Sequence, residues 1–345
     1  MNRPNRRTSL QAFIVAALAL VVCLCACGKL PHETTETSRA YHHLVILGDP
    51  HLPGRDLENK KHVLEKINSW DDVEMVIAVG DICEYFGTDA EYAAAKEFFS
   101  ILHKPLYSIA GNHDYIYESS VEPNSKRLSM GSQATQQAKL GQFRKTFGLT
   151  HHFYSRNVGG YLLVFLSTDH LNYLSGMSEQ EIAWLRSELG ENLKTPTIII
   201  FHGPLKGTLR DYKRFVNTPN YIAQPTETIH EILMNNPQVF LWVSGHTHTP
   251  PLEESYASPV NVYAGQVTNI HNKDMNSGTI WTNSLYLYPD RVVVKTFNHQ
   301  EEIWLPAFDR TITLPNPEAA LCSHSRYSIN PVSSQFFCVS ASSTK

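Results

Sequence analysis

Between Tyr41 and Val243 the chain carries six short apolar runs: His43–Leu47, Met75–Val79, Leu106–Ala110, Leu162–Leu166, Ile198–Phe201 and Phe240–Val243. Each is rich in β-branched or aromatic residues, too short for an ordinary helix, and bounded by glycine or polar residues. That is the signature of buried strands. Helical spacing fills some of the gaps. Thr88 and Glu91 stand at capping-box separation and predict a helix running to about His103. Ser178 and Glu181 repeat the signal, and Ile182, Leu185 and Leu189 then share one face of a helix ending near Leu189. Strands alternating with helices predict an α/β fold in which helices cover a sheet. Farther on, the turn Tyr288-Pro289-Asp290-Arg291 predicts a strand over Val292–Thr296, with Trp281, Tyr286 and Tyr288 packing on the sheet. There is no internal repeat, no glycine-rich phosphate loop and no G-x-S-x-G turn.

The start of the chain breaks this pattern. Arg3, Arg6 and Arg7 precede sixteen residues, Ala12 to Cys27, that carry no charge. A basic start followed by an apolar stretch is the layout of a secretory signal. The stretch closes on Leu24-Cys25-Ala26-Cys27-Gly28, which resembles the lipobox of bacterial lipoproteins. The resemblance implies that residues 1–26 are removed and that the Cys27 thiol is acylated. Acyl chains then hold the exported protein on the cell-envelope side of a membrane, at about 0.8 kcal/mol per buried CH₂. An uncleaved anchor is the competing reading, although sixteen residues fall short of the usual span of about 20. Residues 27–40 are short of apolar groups and read as a tether.

Composition narrows the class. With 345 residues, 42% of them apolar and 18% charged, the chain is globular and long enough for one large domain or two ordinary ones. A net charge of -4 offers no polycationic surface to a nucleic-acid polymer. Without the leader the cysteines are Cys27, Cys83, Cys322 and Cys338. In an oxidising compartment Cys322 and Cys338 could close a loop in the tail, residues 315–345; two free thiols are an equal alternative. Cys83 reads as a small buried hydrophobe.

Candidate chemistry gathers directly behind the apolar runs. The first run is followed by Gly48-Asp49-Pro50-His51, the second by Gly80-Asp81-Ile82-Cys83-Glu84, and the third by Gly111-Asn112-His113-Asp114. His202-Gly203-Pro204 follows Phe201, and Ser244-Gly245-His246-Thr247-His248 follows Val243. The carboxyl ends of strands are where open α/β sheets place their ligand sites, so these segments converge in space. Carboxylate, imidazole and carboxamide suit hard or borderline divalent metals, and no thiolate is needed. Residues i and i+2 can share a face, as Asp49 with His51 and His246 with His248 would. The glycines permit close backbone approach.

Taken in order, the motifs D-x-H, G-D-x-x-D/E, G-N-H-D/E, an isolated His and G-H-x-H resemble those of the calcineurin-like metallophosphoesterase superfamily, from about Leu44 to Tyr263. The stretch Ser178–Leu189, with Trp184-Leu185, is similar to the helix these enzymes carry before the isolated histidine. The resemblance implies a two-sheet mixed β sandwich flanked by helices, within a single domain over residues 41–314. It implies that Asp49, His51, Asp81 and His248 bind one metal, and that Asp81, Asn112, His202 and His246 bind a second, Asp81 bridging. His113 would face the scissile phosphate and assist the leaving oxygen. The ions are two divalent metals, with Mn, Fe and Zn among those that such ligands accept. The substrate class is a small-molecule phosphate ester.

Physical chemistry supports that arrangement independently. Two dications about 3.5–4 Å apart can clamp a phosphate and share a water whose pKa falls toward neutrality, so that hydroxide attacks phosphorus in line. No protein nucleophile is required. Histidine suits the acid role because its ordinary pKa of about 6.5 lies near working pH.

Several positions depart from known relatives. Glu84 stands where serine/threonine phosphatases of the superfamily carry the Asp that pairs with the G-N-H histidine. It could still orient His113, or simply be solvated. Tyr85 replaces the arginine that follows in those enzymes, and the tyrosine that purple acid phosphatases place three residues after the bridging Asp is missing. Asp114 reads as a turn carboxylate outside the ligand set. Tyr115 and Tyr117 are either ordinary packing or one wall of the pocket, and Asn269 and His271 could reach its rim. His42, His43, His151, His152 and His271 have no motif and read as surface or core histidines. Two further functional readings remain: a specific phosphodiesterase of the cyclic-nucleotide kind, and a non-catalytic metal-binding scaffold lipoprotein.

Overall fold

A computed structural model describes residues 40–118, 128–211, 213 and 215–315. The leader, nearly all of the tether including Cys27, and the tail with Cys322 and Cys338 lie outside the described residues.

The chain begins with β1 (His42–Leu47), α1 (Leu57–Asn68), β2 (Val73–Ala78), α2 (Asp89–Phe99), β3 (Leu106–Ser108) and the single helical turn α3 (Asn112–Tyr115). The short strands β4 (Tyr117–Glu118) and β5 (Ser129–Met130) precede α4 (Gln133–Phe147), β6 (Tyr154–Val158), β7 (Tyr161–Leu166) and α5 (Glu179–Glu191). Then come β8 (Thr197–Phe201), α6 (Thr226–Asn235), β9 (Val239–Ser244), β10 (Val262–Tyr263) and β11 (Val267–His271). The last strands are β12 (Trp281–Leu287), β13 (Arg291–Asn298), β14 (Ile303–Trp304) and β15 (Arg310–Thr313).

One sheet has the order β14-β13-β12-β1-β2-β3, with β15 also on β13. The other runs β10-β11-β9-β8-β7-β6. In the first sheet β1, β2 and β3 are parallel; in the second β7, β8, β9 and β11 are. Leu44, Ile46 and Ile77 of the first sheet share one buried cluster with Leu163, Phe165, Ile200 and Val243 of the second, so the sheets pack face to face. On the outer side of the first sheet, Val45, Leu47 and Val76 meet Val63, Leu64 and Ile67 of α1 and Phe98 of α2. On the outer side of the second, Leu162, Val164 and Trp242 meet Leu185 and Leu189 of α5 and Ile229 and Leu233 of α6. The fold is therefore a mixed two-sheet sandwich with helices outside.

This layering explains the unbroken apolar runs. Alternate residues of β1 point to opposite faces, and both faces are covered. Leu44, Val45, Ile46 and Leu47 are all fully buried, and each contributes about 1.5–3 kcal/mol relative to exposure. The two expected helix starts are present: the side chains of Thr88 and Ser178 accept from the backbone N–H of Glu91 and Glu181. The helix begun by Thr88 stops at Phe99, short of His103, and β3 stops at Ser108, short of Ala110. The strand expected over Val292–Thr296 is the middle of β13. Among the described residues no helix is long and apolar enough to cross a membrane.

Candidate metal centre

The carboxyl ends of β1, β2, β3, β8 and β9 deliver the five motifs to one edge of the sandwich, where backbone and carboxylate bonds stitch them together. The His51 N–H donates to the Asp81 carbonyl (2.9 Å), and the Gly245 N–H to the His202 carbonyl (3.0 Å). The His246 N–H donates to both oxygens of the Asp49 carboxylate (2.9 and 3.1 Å), joining the two sheets. The His113 N–H donates to Asp81 Oδ1 (2.8 Å).

Asp49, His51, Asp81, His246 and His248 all hold φ between 34° and 64°. They make up five of the nine non-glycine residues with positive φ among the described residues. Such backbone costs about 1–3 kcal/mol per residue and persists only where its surroundings over-determine it. Two glycines are fixed by closeness instead. A Cβ on Gly111 would lie 2.4 Å from Asp81 Oδ1, and one on Gly245 2.3 Å from Asp49 Oδ2.

The side chains fall into two groups. Asp49, His51, Asp81 and His248 each present a donor atom within 4.8 Å of the others, and so do Asp81, His202 and His246. Asn112 joins the second group, its Oδ1 3.2 Å from His202 Nε2. Asp81 belongs to both.

Ring orientation decides what these groups can bind. His202 Nδ1 lies 2.8 Å from the Val79 carbonyl, His246 Nε2 lies 2.8 Å from that of Asn220, and His51 Nδ1 lies 3.3 Å from that of Cys83. A carbonyl only accepts, so each of these nitrogens carries the proton and the opposite nitrogen offers a lone pair. The lone pairs then face other acceptors. His202 Nε2 is 3.1 Å from His246 Nδ1, 3.3 Å from Asp81 Oδ2 and 3.2 Å from Asn112 Oδ1. His51 Nε2 is 3.2 Å from His248 Nε2, which is 3.6 Å from Asp49 Oδ1. Converging acceptors, each oriented from behind, are the donor set of a nitrogen- and oxygen-ligated divalent metal. The residues present fit two such ions.

Electrostatics agree with a site for positive charge. Burial opposes charging His202, yet the Asp81 and Asp49 carboxylates outweigh it and push that ring up to about 9, so a proton and a metal cation compete for the lone pair of its Nε2. Burial, reinforced by the neighbouring His202, pushes His246 down to about 3. Burial likewise holds His51 well below the ordinary histidine value.

His113 borders the same space. Its ring stands edge-on to His51 (5.0 Å) and Tyr117 (5.2 Å), and its Nδ1 is buried without a hydrogen-bond partner. The bond from Glu84 to His113 that the sequence suggested is not made. Glu84 instead accepts from the Gly54 N–H (3.2 Å), because its own N–H is bound to the Leu52 carbonyl and the side chain follows that loop. Asp114 accepts from the N–H groups of Gly111 (2.7 Å), Cys83 (2.8 Å) and Ile82 (3.3 Å), fixing the second motif against the third. Burial and the Asp81 charge raise its carboxyl to about 7. Cys83 is a free, fully buried thiol. Asn269 and His271 do not reach the rim. Both are interior, Asn269 accepting from the Leu205 N–H (2.8 Å) and His271 donating to the Thr208 carbonyl (3.1 Å).

A cavity of about 280 Å³ opens over the centre, walled by His113, Tyr117, Leu174, Phe215 and Tyr221. Tyr117 is thus a wall, whereas Tyr115 is buried and donates to the His170 carbonyl. The rings of Phe215 and Tyr221 stack 5.7 Å apart, and Tyr221 leans on His246 at 5.2 Å. A larger cleft, of about 900 Å³, lies between α4 and α5 and holds none of the motif residues. The chemistry therefore places the functional site at the smaller cavity. The part played by the Asn220–Tyr221 segment has no sequence signal, since it acts through a backbone carbonyl and one ring in an irregular loop.

A two-sheet α/β sandwich with clustered metal-ligand side chains at its strand ends defines a metal-dependent hydrolase scaffold. Residues 42–250 match the family model of the calcineurin-like phosphoesterases, and the chain belongs to that family. It is a metal-dependent phosphoesterase acting on small-molecule phosphate esters. Solved structures share the fold. A dimetal phosphatase from Danio rerio superposes with a TM-score of 0.52 at 15% identity, over 79% of this chain and 98% of that one. A purple acid phosphatase from yellow lupin seeds gives 0.57 at 13% identity, over 85% of this chain and 57% of that one. GAP50, described as the anchor in the inner membrane complex of Plasmodium, gives 0.50 at 11% identity, over 85% and 98%. No curated protein matches the sequence.

Proposed function

We propose that this protein is a dinuclear metallohydrolase in which Asp49, His51, Asp81 and His248 hold one divalent ion and Asp81, Asn112, His202 and His246 hold the other. The observation that carries the reading is the set of converging lone pairs, two imidazole nitrogens 3.2 Å apart in one group and two 3.1 Å apart in the next, with Asp81 common to both. Two ions, Mn, Fe or Zn, would polarise the phosphate and supply a nucleophilic water at neutral pH. The chain's own residues do the rest. The Val79, Asn220 and Cys83 carbonyls keep His202, His246 and His51 in the tautomers that face inward. Asp81 is anchored through its Oδ1 by the His113 N–H, so its Oδ2 stays toward His202. His113, beside the cavity, protonates the leaving oxygen or stabilises its charge, a contribution of about 10²–10⁴ in rate. Tyr117, Phe215 and Tyr221 favour an ester with an organic group bulky enough to rest on rings.

The decisive assay is hydrolysis of p-nitrophenyl phosphate and of bis-p-nitrophenyl phosphate with added Mn²⁺. Turnover of the first assigns a monoesterase, and of the second a diesterase. No turnover of either by protein shown to hold two ions would sink the catalytic reading in favour of a binding scaffold. We propose further that Cys27 carries the lipid that holds the exported enzyme at a membrane; the basic, apolar and lipobox order of the leader supports this.

A further inference from the structure

Lys60 is fully buried, on the same face of α1 as Val63, Leu64 and Ile67. Its Nζ lies 2.8 Å from the Pro50 carbonyl, 2.9 Å from the His51 carbonyl, 3.4 Å from the Pro53 carbonyl and 3.2 Å from Asn276 Oδ1. Among the described residues no carboxylate pairs with it. A buried ammonium is costly unless its protons are all taken, and here backbone oxygens take them. Those oxygens belong to the loop that presents Asp49 and His51, whose backbones hold left-handed φ of 34° and 46°. The loop is closed from the other side as well: Asn276 Oδ1 accepts from the Arg55 N–H (2.6 Å), and the Met275 N–H donates to the Asp49 carbonyl (3.1 Å). Gly54 leaves room for the ammonium, since a Cβ there would stand 2.5 Å from Nζ.

We propose that Lys60 is a positioning residue for one half of the metal centre. It holds Asp49 and His51 in the strained backbone that their metal requires, while touching neither substrate nor metal. This rests on the dinuclear reading above. Strained residues persist only where the surroundings fix them, and among the described residues the ammonium is the single group that binds both the Pro50 and the His51 carbonyl. The second group, Asn112, His202 and His246, follows β3, β8 and β9, and Lys60 makes no hydrogen bond there. Lys60 should therefore act on one ion and spare the other.

The test is calorimetric titration of the full chain with Co²⁺, comparing wild type with Lys60→Met, which keeps the buried stem and removes the donors, and with Asn276→Ala. Wild type should bind two ions. Lys60→Met should bind one ion with unchanged affinity and the other about 10–100-fold more weakly, the usual effect of losing a group behind a ligand. Asn276→Ala should show the same selective weakening to a lesser degree, which keeps the idea testable should Lys60→Met fail to fold. Two unchanged affinities, or equal weakening of both, would overturn the proposal. Fewer than two ions in wild type would overturn the dinuclear reading itself, and this role for Lys60 with it.

Discussion

Gly245→Ala tests the geometry of the centre without altering any ligand. The added methyl would stand 2.3 Å from Asp49 Oδ2, where ordinary contact begins at 3.4 Å. The Asp49 carboxylate must therefore retreat by about 1 Å. It is fully buried and both of its oxygens accept from the His246 N–H at 2.9 and 3.1 Å, so the retreat breaks that link between the sheets. A charge-assisted hydrogen bond of this kind contributes about 1.5–3 kcal/mol. A displacement of about 1 Å in a reacting geometry costs on the order of 10²-fold in rate. Position 245 has no positive φ to complicate the substitution. The assay pairs Mn²⁺-dependent hydrolysis of p-nitrophenyl esters with metal content and thermal unfolding. The expected result is a protein that folds, loses about 10²-fold in kcat, and holds the Asp49-side ion less tightly. Activity within about threefold of wild type, with both ions retained, would refute the reasoning, because a contact that short must be relieved by a shift and the atoms nearest the added methyl are those of the Asp49 carboxylate.

The other predictions concern separate links. His113→Ala should keep both ions and slow turnover by about 10²–10⁴-fold, and wild-type rates would end its assigned role. His299, on which burial and the nearby His62 and Lys66 charges press, is held down to about 3. An unfolded chain takes up that proton near 6.5, so the neutral ring stabilises the fold above pH 6.5, and that contribution is lost as pH falls toward 3 at about 1.4 kcal/mol per pH unit. The stability gap between wild type and His299→Gln in urea melts should therefore shrink between pH 6 and pH 4, whereas a gap independent of pH would contradict the burial argument. Cys27→Ser should release the protein from membranes, and continued association would favour the uncleaved anchor.

The parts of this molecule that could be read from the chain share a physical cause. Strands β1, β7, β8 and β9 are covered on both faces, so each carries an unbroken apolar run that stands out. The motif residues stand out because a metal centre restricts which side chains can serve. What escaped notice lacked such restriction. Helix α1 follows Asp56, whose side chain makes no cap, and its buried stripe includes a lysine, which a sequence pattern assigns to solvent. Helix α4 buries only Gln136, Leu140 and Phe143, too few for a clear apolar face. The Glu84 carboxylate was misplaced because spacing in sequence does not reveal which way a loop turns, and here it turns to Gly54. The carbonyls of Val79, Cys83 and Asn220 orient three histidine rings of the site, yet any residue type supplies a carbonyl.

Anomalous diffraction from crystals grown with Mn²⁺ tests the central claim most directly. Two peaks are expected, one among Asp49, His51 and His248 and one among Asn112, His202 and His246, each within bonding distance of Asp81. A single peak, or peaks away from Asp81, would contradict a shared two-ion centre.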